Sequence, residues 1–327
     1  MKKWLVRGFL ALLTVLVAAF LIFRTPDTDA AEMRAKYGAP PSQFVDVGDG
    51  LTIHLRDEGP RDAPVIMLLH GSNADLHTWE PWVEALKGQY RVIRFDQVGH
   101  GLTGPDPRGD YSTANFVADI GAVADKLGLG RFILGGNSMG GKHALAYAIA
   151  HPERLDGLVL VDGSGGPMLK LARKDDEDSG NIGFTIARMP GVNLLVEQIT
   201  PRELIQQSLE QSVSVKSVVT PAAVDRYWEL LRYPGNRRAT LARFSLPYDP
   251  LAAADIAKVT TPTLILWGAE DRIIPVEAGQ WLAKTMPNNQ LVIYPKIGHL
   301  PHEEAPEATL GDLTPWLAEH ASPPKSE

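Results

Sequence analysis

The sequence predicts an α/β protein: a mostly parallel, eight-stranded sheet with helices on both faces, a helical insertion late in the chain and an apolar helix at its start. Three observations predict it. Eight short β-rich runs recur between residues 44 and 294, several separated by helical stretches, and such alternation builds parallel sheets. From Asp162 to Thr263 the strand pattern lapses and the apolar spacing turns helical. Finally, Gly8–Phe23 is free of charge.

The first element reads MKKWLVRGFLALLTVLVAAFLIFR, with Lys2, Lys3 and Arg7 ahead of the uncharged run. Counted from Trp4, the apolar stretch is about 20 residues, roughly 30 Å as a helix, if Arg7 snorkels. It is apolar all round, unlike a surface helix of a soluble domain. An uncleaved signal anchor is expected over residues 1–24. The alternative is a signal peptide cut after the weak Thr28-Asp29-Ala30 site, which releases the protein. The basic end stays in the cytoplasm in either case and puts the rest on the exported, periplasmic or extracellular side. Residues 25–42, with Pro26, Pro40 and Pro41, read as a linker.

The strands follow. Phe44–Val47 and Leu51–Arg56 flank Gly48-Asp49-Gly50, a hairpin-type turn. Val65–Leu69 is apolar throughout, as in a strand covered on both faces. Arg91–Phe95, Arg131–Leu134, Leu158–Val161, Thr263–Trp267 and Leu291–Tyr294 complete the set, with helices at Glu80–Leu86, Thr113–Leu127 and Met139–Ala150. The insertion, residues 165–248, shows helical patterns near Ile182–Val196, Pro201–Gln211, Pro221–Leu231 and Asn236–Phe244, and a solvated charge run at 174–178. The core is expected over 43–164 and 249–320, and the polar tail 321–327 is expected to be disordered.

Composition narrows the function. With 44% hydrophobic and 22% charged residues in 327, the chain can bury a sizeable core. The absence of cysteine excludes a disulfide scaffold, thiolate zinc, an iron–sulfur cluster and a cysteine nucleophile. A net charge of −7 offers no general attraction for nucleic acid. No dinucleotide fingerprint or metal-ligand cluster appears, so no cofactor is expected.

Gly136-Asn137-Ser138-Met139-Gly140 is a G-x-S-x-G turn between a strand and a helix. That geometry lifts a serine hydroxyl off the sheet edge, and the small flanking residues let backbone segments approach closely. Taken alone, the pentapeptide equally suits a glycine-rich turn with a capping serine. A phosphate loop is excluded because His143 follows Gly141-Lys142.

Together with His70-Gly71 after Val65–Leu69 and Asp96-Gln97-Val98-Gly99-His100-Gly101 after Phe95, this turn resembles the α/β-hydrolase superfamily over residues 44–318. Asn137-Ser138-Met139-Gly140-Gly141 resembles the elbow of meta-cleavage-product hydrolases and related esterases, and the insertion resembles the family's cap. The resemblance implies Ser138 as nucleophile, His299 (in Ile297-Gly298-His299-Leu300-Pro301) as general base and Asp271 (in Gly268-Ala269-Glu270-Asp271-Arg272) as the orienting acid. Asp162 is the acid's alternative location in relatives. The backbone N–H groups of Ser72 and Met139 are the implied oxyanion donors, while His70, His100 and Asp96 are expected to hold their turns structurally. A serine at the elbow argues against dehalogenase and epoxide-hydrolase chemistry. The expected reaction is hydrolysis of a small, apolar carboxylic ester. Carbon–carbon hydrolysis of dienoates, thioesterase or lactonase activity and a non-catalytic ligand-binding role are the alternatives. His70-Gly71-Ser72-Asn73-Ala74 departs from the glycine- and proline-rich oxyanion loop of the dienoate enzymes. In the cap, Ile182, Phe184, Ile186, Met189, Leu194 and Leu195 line an acyl pocket or form the cap's own core.

Overall fold

The structure, a computed structural model, describes residues 2–166, 182–189, 197–247 and 249–323. The charge run at 174–178, Leu194, Leu195 and the last four residues of the tail lie outside them, as does the side chain of Phe184.

Eight strands form one sheet: β1 (Ser42–Gly48), β2 (Leu51–Glu58), β3 (Val65–Leu69), β4 (Arg91–Phe95), β5 (Phe132–Asn137), β6 (Leu155–Val161), β7 (Thr263–Gly268) and β8 (Asn289–Tyr294). Their order is β1-β2-β4-β3-β5-β6-β7-β8. The β1–β2 and β2–β4 pairs are antiparallel and all others parallel. The chain leaves β3 toward β4 on one side and leaves β5 toward β6 on the other, so the connections after these two neighbouring strands run in opposite directions. The loops after β3 and β5 therefore flank one crevice at the carboxyl ends of the strands, where open α/β sheets bind ligands.

Alternation along the strands feeds two cores. On β3, Val65, Met67 and Leu69 join one apolar cluster, while Ile66 and Leu68 join the other. Helices Thr113–Lys126 and Met139–Ala150 close the first face with Phe116, Ile120, Leu145 and Tyr147. Helices Glu80–Leu86 and Pro306–His320 close the second with Trp82, Leu86, Leu313 and Trp316. Each fully buried leucine or isoleucine contributes roughly 1.5–3 kcal/mol relative to exposure.

Four helices of the insertion are described: Ile182–Arg188, Arg202–Ser212, Pro221–Leu231 and Asn236–Ser245. Helices Ala30–Tyr37, Val276–Thr285 and Pro306–His320 were not among the elements predicted from the sequence.

The stretch expected to be a linker departs most from the sequence reading. Asp29 caps helix Ala30–Tyr37 by accepting from Glu32 N at 2.8 Å. Met33 is buried with Leu102, Leu230 and Tyr233. Ahead of that helix, Thr25 N donates to Gln198 O (2.8 Å) and Thr28 N to Arg232 O (2.9 Å). The prolines disguised a segment that docks on the insertion. The N-terminal helix Lys2–Phe23 contains a window, Val6–Phe23, long and apolar enough to cross a membrane, and that window is not buried against the rest of the protein.

Candidate active site

Ser138 caps helix Met139–Ala150 at φ 53° and ψ −116°, a conformation non-glycine residues rarely adopt. Neighbouring geometry enforces it. A Cβ on Gly136 would lie 2.3 Å from Gly140 O, and one on Gly140 2.3 Å from Leu69 O. Asn137 Nδ2 donates to Val161 O (3.0 Å) and His299 O (3.1 Å), joining the turn to the histidine loop.

His299 is buried, and its Nδ1–H donates to Asp271 Oδ2 at 2.7 Å. Asp271 Oδ1 accepts from Ile273 N (2.7 Å) and Ile274 N (3.0 Å), which fixes the carboxylate. With Nδ1 so occupied, Nε2 is the nitrogen left for proton transfer. Asp162 lies close by: one ligand atom from each of Asp162, Asp271 and His299 falls within 4.8 Å of the others. Asp162 Oδ1 accepts from Gly268 N (3.1 Å), and Oδ2 has no donor among the described residues. Burial, then the negative charge of Asp271, pushes the Asp162 carboxyl well above the usual carboxylate range. Both causes favour the protonated form of Asp162 beside the acid that holds the histidine. The pairing brings His299 together with Asp271, not with Asp162.

The loop after β3 carries Gly71, Ser72 and Asn73, all lining the same cavity as Ser138 and His299. His70 holds this loop from beneath. Its Nδ1–H donates to Gly71 O (2.7 Å), and its Nε2 accepts from Gln97 N (3.0 Å). Burial keeps it neutral by pushing its pKa down. His100 donates from Nδ1 to Val98 O (3.0 Å). Asp96 accepts from Leu76 N, Leu102 N and His54 Nδ1 at 2.8, 2.7 and 2.6 Å. His70 and Asp96 have the partners expected of structural groups, while buried His100 Nε2 has none among the described residues.

The cavity encloses about 990 Å³ including its open mouth. Ile186, Leu204, Ile205, Leu209, Leu231 and Leu241 of the insertion line it. Of the other apolar residues proposed from sequence, Met189 is exposed and Ile182 is not among the lining residues. Among the described residues Arg237 is the only Lys, Arg, Asp or Glu on the wall, and it is already bonded to Thr25 O (2.8 Å) and Asp27 Oδ1 (2.7 Å).

Two further residues bear on the site and carried no readable sequence signal. Glu304 is buried, and Oε2 accepts from Ser214 N, Val215 N and Gly298 N at 2.8, 2.9 and 3.0 Å. Its Oε1 accepts from Leu300 N at 3.1 Å, so one carboxylate holds both neighbours of His299. Arg243 Nη2 donates to Ser72 Oγ at 2.7 Å. Glu304 could be told from Glu303 only by knowing which one turns inward, and Arg243 is one of several basic residues in its helix.

The family model for the alpha/beta hydrolase fold matches residues 64–306. The chain belongs to this family. Among curated α/β hydrolases it is 31% identical over 287 residues to a 2-hydroxy-6-oxononadienedioate/2-hydroxy-6-oxononatrienedioate hydrolase of Cupriavidus pinatubonensis, covering 82% of this chain and 92% of the relative. Among solved structures, the 2-hydroxy-6-oxo-6-phenylhexa-2,4-dienoate hydrolase of Rhodococcus sp. strain RHA1 superposes with a TM-score of 0.71 at 22% identity, over 85% of this chain and 97% of that one. A membrane phospholipase A described as a bacterial virulence factor superposes with a TM-score of 0.70 at 27% identity, over 98% of this chain and 99% of that one. That structure matches along nearly the whole chain, where the other two cover 82% and 85% of it.

Proposed function

We propose that this α/β hydrolase is a membrane-anchored serine hydrolase that cleaves carboxylic esters with an apolar acyl group. The observation that carries the reading is the His299–Asp271 pair opening onto the same apolar cavity as Ser138. In the proposed cycle, Ser138 Oγ attacks the acyl carbon while its proton passes to His299 Nε2. The carbon–oxygen bond to the leaving alcohol breaks, and the alcohol takes that proton. Water then attacks the acyl-serine, losing its proton to His299, and the acid leaves as Ser138 recovers its hydrogen. The N–H groups of Ser72 and Met139 meet the charge that develops on the carbonyl oxygen, and each such donor lowers the barrier by about 3 kcal/mol. Asp271 orients the imidazole and stabilises its charged form. A phospholipid or other acyl ester drawn from a bilayer suits a helix of this length and the full-length likeness to a membrane phospholipase A.

Carbon–carbon hydrolysis is the second reading, and the curated relatives named for dienoate substrates favour it. Those named dioates carry two carboxylates. Among the described residues Arg237 is the only Lys or Arg lining this cavity and is already engaged by Asp27, and Arg243 behind the wall is bonded to Ser72 Oγ; that commitment of both guanidiniums supports the ester. Turnover of a p-nitrophenyl ester series and of a 2-hydroxy-6-oxo-dienoate, on wild type and Ser138→Ala, separates the two. Ser138-dependent loss of the dienoate chromophore with no turnover of any ester would overturn the first reading.

A further inference from the structure

Helix Asn236–Ser245 touches the candidate site and the membrane-proximal stretch at once. At one end Arg237, buried, donates to Thr25 O (2.8 Å) and Asp27 Oδ1 (2.7 Å), which lie two and four residues past the end of the N-terminal helix at Phe23. Further along, Thr240 Oγ1 donates to Asn73 Oδ1 (3.2 Å), and Arg243 Nη2 donates to Ser72 Oγ (2.7 Å). Asn236 Nδ2 ties the same helix to the core through Gly101 O at 3.0 Å. Ser72 and Asn73 lie on the loop whose amide is the candidate oxyanion donor, and Asn73 there holds a positive φ of 60°.

We infer that Arg243 is a positioning residue for the oxyanion loop, holding the Ser72 amide toward the cavity, and that its helix takes its own placement from Thr25 and Asp27 through Arg237. A charged guanidinium suits the task. Its hydrogen bond to a hydroxyl is stronger than a neutral pair's, and its planar fork loses less freedom than a lysine does. Arg243 also places a positive charge near the developing oxyanion. Buried His70, His100 and His143 lie on the same side, and burial holds each of them neutral. The helix thus joins the point where the chain leaves the membrane helix to the loop that receives the negative charge. A rigid element of ten residues can transmit a shift at Arg237 to Arg243 without a change in the sheet.

The inference rests on Ser138 as nucleophile and on the Ser72 amide as donor, but not on which bond is cleaved. The test is therefore the second-order rate at which a fluorophosphonate labels Ser138 in the full-length protein in detergent, together with kcat and KM on a p-nitrophenyl ester. Removing an oxyanion donor outright costs about 100- to 1,000-fold, and a displaced donor should cost less. Arg243→Met should slow labelling and kcat by about 10- to 100-fold, with KM within about threefold, and Arg243→Lys should recover part of the loss. Arg237→Met should slow labelling several-fold, and the double variant should be no slower than Arg243→Met alone. Thermal unfolding identifies a variant that merely misfolds, in which case Arg243→Lys alone decides: a folded Arg243→Lys that labels at the wild-type rate overturns the inference. Wild-type labelling in folded Arg243→Met, losses at 237 and 243 that multiply, or wild-type protein that fails to label at Ser138 also overturn it. A wild type that labels at Ser138 yet turns over no ester sinks the ester reading and leaves this test standing.

Discussion

The backbone N–H of His299 donates to the carbonyl of Ser212 at 2.9 Å, which fastens the candidate base directly to the last residue of a helix in the insertion. Glu304 adds a second fastening by accepting from Ser214 and Val215 with the same oxygen that holds Gly298. The insertion therefore supports the loop that carries the base as well as roofing the cavity. Deleting residues 165–248 and bridging the ends should abolish fluorophosphonate labelling of Ser138, beyond altering selectivity. A truncated, folded protein that labels at the wild-type rate would refute this.

Glu304→Gln follows from the same contacts. The carboxylate faces four backbone N–H donors, and an amide would turn an NH₂ toward one or more of them. Such a mismatch in a buried, charge-assisted cluster costs on the order of 3 kcal/mol. The melting temperature should fall, and kcat should fall by about tenfold or more while KM changes less, because the histidine loop is what the carboxylate shapes. Unchanged melting and unchanged kcat would mean that the four contacts carry no weight.

Ser138→Ala and His299→Ala should each reduce kcat by orders of magnitude, and the double variant should be little worse than either. In the proposed cycle the two act in one proton transfer, so losing one leaves the other with nothing to do. Losses that multiply across the pair, measured as kcat on one ester, would separate their roles.

Asp162 and Asp271 should behave oppositely despite their closeness. The fold raises the Asp162 carboxyl above the value near 4 at which the unfolded chain releases its proton. Its contribution to stability is fully present below that value and is lost as pH rises through the elevated native value. Asp162→Asn cannot ionise, still accepts from Gly268 N and tolerates the φ of 44° at this position. It should keep kcat within a few-fold and should melt higher than wild type at alkaline pH, with the gain vanishing toward pH 4. Asp271→Asn removes the charge opposite the imidazolium and should lower kcat by roughly 10⁴. If the asparagine at 162 is the damaging one, the acid is Asp162.

Legibility in the sequence followed the physics of each feature. β3 was readable to the residue because a strand buried on both faces is an uninterrupted apolar run; the bounds of β4 also match, although Arg91 and Arg94 break its apolar character. The elbow was readable because its glycines are required by backbone contacts. His299 and Asp271 needed the resemblance, since a loop histidine and one of many aspartates have no local mark. Glu304 and Arg243 were out of reach because their partners lie 90 and 171 residues away, at Ser214 and Ser72. Helix Ala30–Tyr37 was hidden for a related reason. Its mean character is polar, and only the docking of Met33 onto Leu230 and Tyr233 gives it a face to bury.

That docking changes what anchoring means. Full-length protein should sediment with membranes and resist a carbonate wash, since Val6–Phe23 is long, apolar and unburied. Two shortened chains, one starting at Arg24 and one at Ala31, should both be soluble, because both lack that helix. They should differ in the fold. The chain from Arg24 keeps the bonds from Thr25 N to Gln198 O, from Thr28 N to Arg232 O and from Arg237 to Thr25 and Asp27. The chain from Ala31 loses all of them and leaves buried Arg237 without its carboxylate. An uncompensated buried charge costs about 3 kcal/mol or more, which for a domain of this size lowers melting by roughly 5–10 °C. Arg237 also lines the cavity, so KM should rise in the chain from Ala31 and not in the chain from Arg24. Equal melting temperatures and equal KM for the two would show that residues 24–30 are a tether after all, and that the insertion holds its shape without them.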